Sequence, residues 1–158
     1  MGLVLCRVDD RLVHGQVVIG WGRPLAVKFI ALVDDGVRGS SWEQDLYRMA
    51  VPDGVELRFA DTEEAISALP AWAADPRPGI LLTGDLVTMA TLHSTAPDIL
   101  RRINLGGIHH RADRHERLRY IYLSTAEELL LAAMRDIGAD ITAQDLPTTP
   151  PIGMEAMT

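Results

Sequence analysis

Leu3-Val4-Leu5-Cys6-Arg7-Val8-Asp9-Asp10-Arg11-Leu12-Val13-His14-Gly15-Gln16 is the stretch that decides the fold. Leu3 to Val8 reads as a short buried strand, because an apolar run of this length stops at charge. Asp9-Asp10-Arg11 ends it. From Gln16 to about Arg23 the pattern turns helical, and Gly22 and Pro24 close that segment. A strand that runs through a polar loop into a helix is the opening unit of an α/β sheet.

The rest of the chain repeats this alternation. Val27 to Val33 is a second strand, stopped by Asp34-Asp35-Gly36. Ser40 with Glu43 has the spacing of a capping box, opening a helix that ends before Pro52-Asp53-Gly54. Val55 to Ala60 is a third strand. Asp61 and Glu64 cap the next helix, which runs towards Asp75 with a bend or break expected at Pro70. Gly79 to Thr83 is a central strand, followed by a helix from Asp85 to about Thr95 with His93 at its surface or boundary. Ile103 to Leu105 and Arg119 to Leu123 are short strands, the first ending at Gly106-Gly107. Ser124 and Glu127 cap a last long helix that Gly138 ends, and Asp140 to Leu146 is the final strand. About seven strands and five helices in alternation predict one α/β domain over residues 1–146, a mostly parallel sheet with helices on both faces. Residues 147–158, with three prolines, read as a loose tail.

Composition narrows the class of function. The chain has 158 residues, 47% hydrophobic and 23% charged, as expected of one globular domain. No apolar run approaches the roughly 20 residues that cross a bilayer. The start lacks the charge and length of a secretory signal, so a cytoplasmic location is expected. Cys6 is the single cysteine, excludes an internal disulfide and reads as a buried structural residue. A formal charge of −7 argues against nucleic-acid binding by the chain as a whole. Its basic charge is concentrated between Arg101 and Arg119, where six arginines stand against Asp113 and Glu116; this reads as a solvated surface or a face for an anionic group.

In open α/β sheets ligands bind beyond the carboxyl ends of the strands. The loop after the first strand supplies two carboxylates, a guanidinium, an imidazole and a glycine there. Each suits a phosphoryl group. Imidazole is a competent nucleophile near neutral pH. The unpaired N–H groups of a helix start can receive the resulting anion, and Gly15 leaves the backbone accessible to it. Arg11 offers paired donors and fixed charge, and Gln16 an amide. Asp9 or Asp10 can orient Arg11, or hold one imidazole nitrogen so that the other faces the donor. Phosphoryl transfer needs chiefly positioning and charge stabilisation. Neither a P-loop nor a Gly-x-Gly-x-x-Gly fingerprint is present.

Arg7-Val8-Asp9-Asp10-Arg11-Leu12-Val13-His14-Gly15-Gln16-Val17 closely resembles the phosphorylation-site segment of the mannose/fructose/sorbose-family IIB subunits of the phosphoenolpyruvate-dependent sugar phosphotransferase system. Leu32-Val33-Asp34-Asp35, Ala50-Val51-Pro52-Asp53-Gly54-Val55 and Ile103-Asn104-Leu105-Gly106-Gly107-Ile108 resemble later segments of the same family. The resemblance implies that His14 takes phosphate, at Nδ1, from a phosphohistidine on a IIA protein. His14 would then pass it to a sugar held by membrane IIC and IID subunits, so the chain would sit at the inner face of the membrane. Arg11, Gly15 and Gln16 would hold the phosphoryl group, Asp9 and Asp10 would orient, and no metal or other cofactor is implied. A homodimer is compatible with the sequence. The chain departs from the family after Gly107, at Ile108-His109-His110-Arg111-Ala112-Asp113-Arg114-His115-Glu116-Arg117, and at Thr83-Gly84-Asp85.

Two other readings remain at this stage. Asp34, Asp35 and Asp85 all follow strands and suit a magnesium-dependent phosphatase or kinase. A phosphorylation sensor with a regulatory partner and no sugar transport would use the same His14. His109, His110 and His115 have no recognised metal spacing and read as a solvated hairpin. Trp21, Trp42 and Trp72 read as packing residues.

Overall fold

The computed structural model describes residues 2–157. Its main sheet contains β1 (Gly2–Asp9), β2 (Phe29–Val33), β3 (Glu56–Ala60), β4 (Pro78–Thr83), β5 (Arg102–Gly107), β8 (Asp140–Ala143) and β9 (Ile152–Gly153). A separate antiparallel pair is formed by β6 (His115–Leu118) and β7 (Ile121–Leu123). The sheet order is β3-β2-β4-β1-β5-β8-β9, parallel throughout except for the β8–β9 pair. Five α-helices intervene: α1 (Asp35–Arg38), α2 (Ser41–Ala50), α3 (Thr62–Ala74), α4 (Leu86–Thr95) and α5 (Thr125–Asp136). A wide, π-type helical segment covers Gln16–Trp21.

Two apolar layers sandwich the sheet. Val8, Ala31, Leu81 and Leu105 face a layer shared with α3, α4 and α5, including Leu69, Leu92 and Leu131. Ile30, Leu32, Ile80 and Leu82 face the other, built from Leu12, Val13, Val17 and Val18 and flanked by Tyr47 of α2. Alternate strand residues thus serve opposite faces, the two-residue period of a buried sheet. Cys6 is buried in the first layer, where burial pushes its thiol up to about 12.

Several local expectations are met and several are corrected. Both box residues bond reciprocally at Asp61/Glu64 and at Ser124/Glu127. The box expected at Ser40/Glu43 does not form. The Ser40 N–H already donates to Val37 O at the end of α1, so no orphan donor is left for Glu43. Helix α3 runs undivided through Pro70. The expected strand at Arg119–Leu123 is shorter and belongs to the separate hairpin, while β9 takes the seventh place in the sheet. The loose tail expected at 147–158 is a correction too. Within it, Ile152–Gly153 pairs with β8, and Met154 and Met157 are buried. Their apolar side chains close the first layer beside Ile141 and Ala143.

His93, expected at a surface or boundary, is fully buried, and neither ring nitrogen has a hydrogen-bond partner among the described residues. Burial pushes its imidazole below the ordinary value. A histidine kept neutral by the fold supports stability above the ordinary imidazole pKa, and that support is lost as pH falls below it. Wild type should therefore lose thermal stability on acidification from neutral pH. His93→Leu should remove that part of the pH dependence and add about 1–3 kcal/mol, since it deletes unsatisfied polar atoms. Melting curves of both proteins across pH check this.

Candidate phosphoryl-transfer site

The connection after β1 leaves on one face of the sheet, while those after its neighbours β4 and β5 pass through α4 and α5 on the other. The crevice at such a reversal lies open above the carboxyl end of β1. Asp9 is the last residue of that strand and is completely buried. The chain then turns back, with Leu12 N–H donating to Asp9 O at 2.9 Å and Leu12 in the left-handed region at φ 60. That conformation costs a leucine roughly 1–2 kcal/mol. Burial of its side chain against the second apolar layer offsets the cost. The turn carries His14 back over Asp9, where its side chain is 21% exposed.

Asp9 organises the site. Its Oδ1 accepts from Arg11 N–H at 3.1 Å and Arg11 Nε at 2.9 Å. Its Oδ2 accepts from Arg11 Nη2 at 2.8 Å and Arg7 Nη2 at 3.2 Å, and lies 3.2 Å from His14 Nε2. Burial alone would raise its pKa. The hydrogen bonds from His14 and Arg11, with the charges of Arg7 and Arg11, outweigh that and hold the carboxyl well below the usual range. As a carboxylate it is an acceptor only, so His14 Nε2 is the donor of this pair, and in the neutral ring Nδ1 then holds the lone pair. The Gln16 N–H, at the helix start, points at Nδ1 from 3.3 Å.

Arg11, Gln16 and Gly15 lie around this pair, whereas Asp10 does not join it. Arg11 stands at the rim, with its side chain 36% exposed. Gln16 Oε1 accepts from Arg11 Nη2 at 2.6 Å and Arg7 Nη2 at 3.2 Å, which leaves its amide NH2 as a donor. Gly15 is in ordinary right-handed helical backbone, and a Cβ there would meet nothing within 4 Å. No part of the described chain requires glycine at that position. Asp10 does not orient His14 or Arg11. Successive strand residues point to opposite sides, and Asp10 instead binds His109, through its backbone N–H at 2.8 Å and its Nδ1.

Three contributors were not singled out from the sequence. Arg7 is fully buried beneath the site, donating to Asn104 Oδ1 at 2.5 Å, Gln144 O at 2.9 Å and Asp145 O at 3.2 Å besides Asp9 and Gln16. A charged residue inside an apolar strand was the signal. Gly106 makes room for it, since a Cβ there would fall 1.9 Å from Arg7 Cζ. A Cβ on Gly107 would sit 3.0 Å from Asp9 Oδ1. Arg7→Met should cost about 3–5 kcal/mol, because it strands Asp9 and Asn104 without their buried partner. Denaturant midpoints should show this, with Arg7→Lys recovering part of the loss.

Asp34 and Asp85 cap α1 and α4 through Val37 N–H and Thr88 N–H, and Asp35 accepts from Thr62. Among the described residues no three His, Cys, Asp or Glu side chains are grouped to hold a metal ion. The arginine run is not uniformly solvated: Arg114 is buried in a paired contact with Glu127, both bonds 2.8 Å, and donates to His109 O. Trp21 and Trp72 are buried as expected, whereas Trp42 is 65% exposed.

Comparison with known proteins fits this geometry. Residues 3–158 match the family described as the PTS system sorbose subfamily IIB component. The N-acetylgalactosamine-specific phosphotransferase enzyme IIB component 2 of Escherichia coli is 24% identical over 152 residues, 96% of each chain. The crystal structure of the N-acetylgalactosamine-specific IIB component 1 from Escherichia coli superposes with a TM-score of 0.88 and 25% identity, covering 96% of this chain and 99% of that one. The mannose-specific EIIAB component of Escherichia coli is 35% identical over 66 residues, 42% of this chain and 20% of that protein. With residues 3–158 inside the family match and a buried-carboxylate histidine site at the sheet's carboxyl edge, the chain belongs to the sorbose-subfamily IIB components of the sugar phosphotransferase system.

Proposed function

We propose that His14 accepts a phosphoryl group at Nδ1 from a phosphohistidine on a IIA protein and donates it to a sugar held by membrane IIC and IID subunits. The observation that carries this is the fixing of both imidazole nitrogens: Asp9 holds Nε2–H at 3.2 Å, and Nδ1 faces the helix start. In the first transfer Nδ1 forms a bond to phosphorus as the donor's N–P bond breaks. The donor imidazole leaves with that bond's electron pair. Positive charge then grows on the His14 ring, and the Asp9 carboxylate lies against it. The Gln16 N–H, which points at Nδ1 before transfer, becomes a donor to a phosphoryl oxygen afterwards. Arg11 supplies Nη2 at the rim, and Gln16 its amide.

The site net of Arg7, Arg11 and Asp9 is one positive charge, which a phosphoryl dianion reverses. The second arginine therefore keeps the phosphorylated state from becoming a buried accumulation of negative charge. The relative named EIIAB supports a IIA partner as donor. Among the described residues no helix is long and apolar enough to cross a membrane, so the sugar site is assigned to the partners.

The test is transfer from labelled phosphoenolpyruvate through the upstream carriers and IIA. Acid-labile, base-stable label on the chain, passed on when IIC and IID membranes and sugar are added, supports the reading. Label that forms but never reaches any sugar would favour a sensor.

A further inference from the structure

On the face opposite α3, α4 and α5, no helix among the described residues covers the first half of β1, its neighbour β5 or, beyond that, β8. A groove of about 520 Å³ lies there, and it leaves Leu3, Val4 and Leu5 of a central strand half-buried. Its lining is mixed, the apolar strand residues being joined by polar ones. Arg102, Asn104, Asp140, Thr142 and Gln144 line it, with Trp21 and Pro151 as walls. Arg102 and Asp140 are cross-strand partners in register, yet the Arg102 side chain has no hydrogen bond or ion pair among the described residues. Arg101 stands at the same mouth, 4.0 Å from Asp98.

We propose that this groove binds a phosphorylated sugar, and the proposal rests on the phosphotransferase reading above. Planar polar side chains with several donors and acceptors suit sugar hydroxyls, and an apolar wall suits the ring's CH face. Two guanidinium groups at one end suit a phosphate. The groove is separate from His14, at the amino end of the strands, but its inner end reaches the same network. Asn104 and Gln144 line the groove and hold Arg7, which holds Asp9, which holds His14. Occupancy draws these two partners towards the ligand and slows phosphoryl uptake, so the groove senses the accumulating product.

Titration of the ¹⁵N-labelled chain with glucose 6-phosphate, glucose and inorganic phosphate tests this. The expected result is a saturable shift of the Trp21 indole and the Asn104 and Gln144 amide signals with glucose 6-phosphate. Neither glucose nor phosphate alone should match it. Arg102→Glu, an exposed change, should weaken binding about tenfold or more, while Arg11→Ala should leave it intact. Absence of a saturable shift overturns the proposal. So does equal affinity for glucose, or dependence on Arg11 in place of Arg102, which would put the ligand at His14. Labelling of His14 from IIA is scored separately: label without groove binding removes this inference alone, and groove binding without label removes the reading beneath it.

Discussion

On the proposed reading, His14→Ala is expected to take up no phosphoryl group from phosphorylated IIA, while the wild-type chain in the same assay should become labelled. The effect is all-or-none because the substitution removes the atom that bonds to phosphorus. Of the other four imidazoles, His93 is buried away from solvent, His109 is held by Asp10, and His110 and His115 are exposed, away from the Asp9 network. The folding cost should be small, since His14 is partly exposed and, among the described residues, its ring is hydrogen-bonded to Asp9 and Gln16 N–H alone. Matching melting curves would show that the loss is chemical. Equal label on both proteins would mean that another residue is the acceptor.

Asp9→Asn is expected to slow labelling by about 10²–10⁴-fold with His14 still present, because it disturbs both tautomer and charge. An amide can offer its NH2 to Nε2, which moves the imidazole proton to Nδ1 and blocks the attacking lone pair. It also leaves Arg7 and Arg11 without their shared anion. Breaking a buried charge network in this way costs about 3–5 kcal/mol, so the variant should unfold at distinctly lower denaturant. Asp10→Asn separates the two roles. It should loosen the loop at His109 and leave the labelling rate within a few-fold of wild type. If Asp10→Asn is the more damaging of the two, the orienting carboxylate has been misassigned.

Much of this was legible in the chain before any coordinates. Strand and helix order followed from period and turn residues, and the chemistry of the loop followed from one imidazole placed between a strand end and a helix start. What escaped was tertiary. Adjacent carboxylates at 9 and 10 look alike in sequence, and only strand alternation with the approach of β5 sends one to His14 and the other to His109. Arg7 passed unremarked within the first strand, because three of its partners come from residues 97 to 138 positions away. The 147–158 segment looked loose because prolines hide a strand of two residues and two buried methionines. The Ser40 box failed because a preceding helix of four residues took its backbone donor.

The most direct test is ³¹P–¹⁵N correlation on the chain after phosphorylation with ring-labelled histidine. A single phosphorus signal coupled to Nδ1 of His14 is the predicted result. Coupling to Nε2, or to any other histidine, would contradict it.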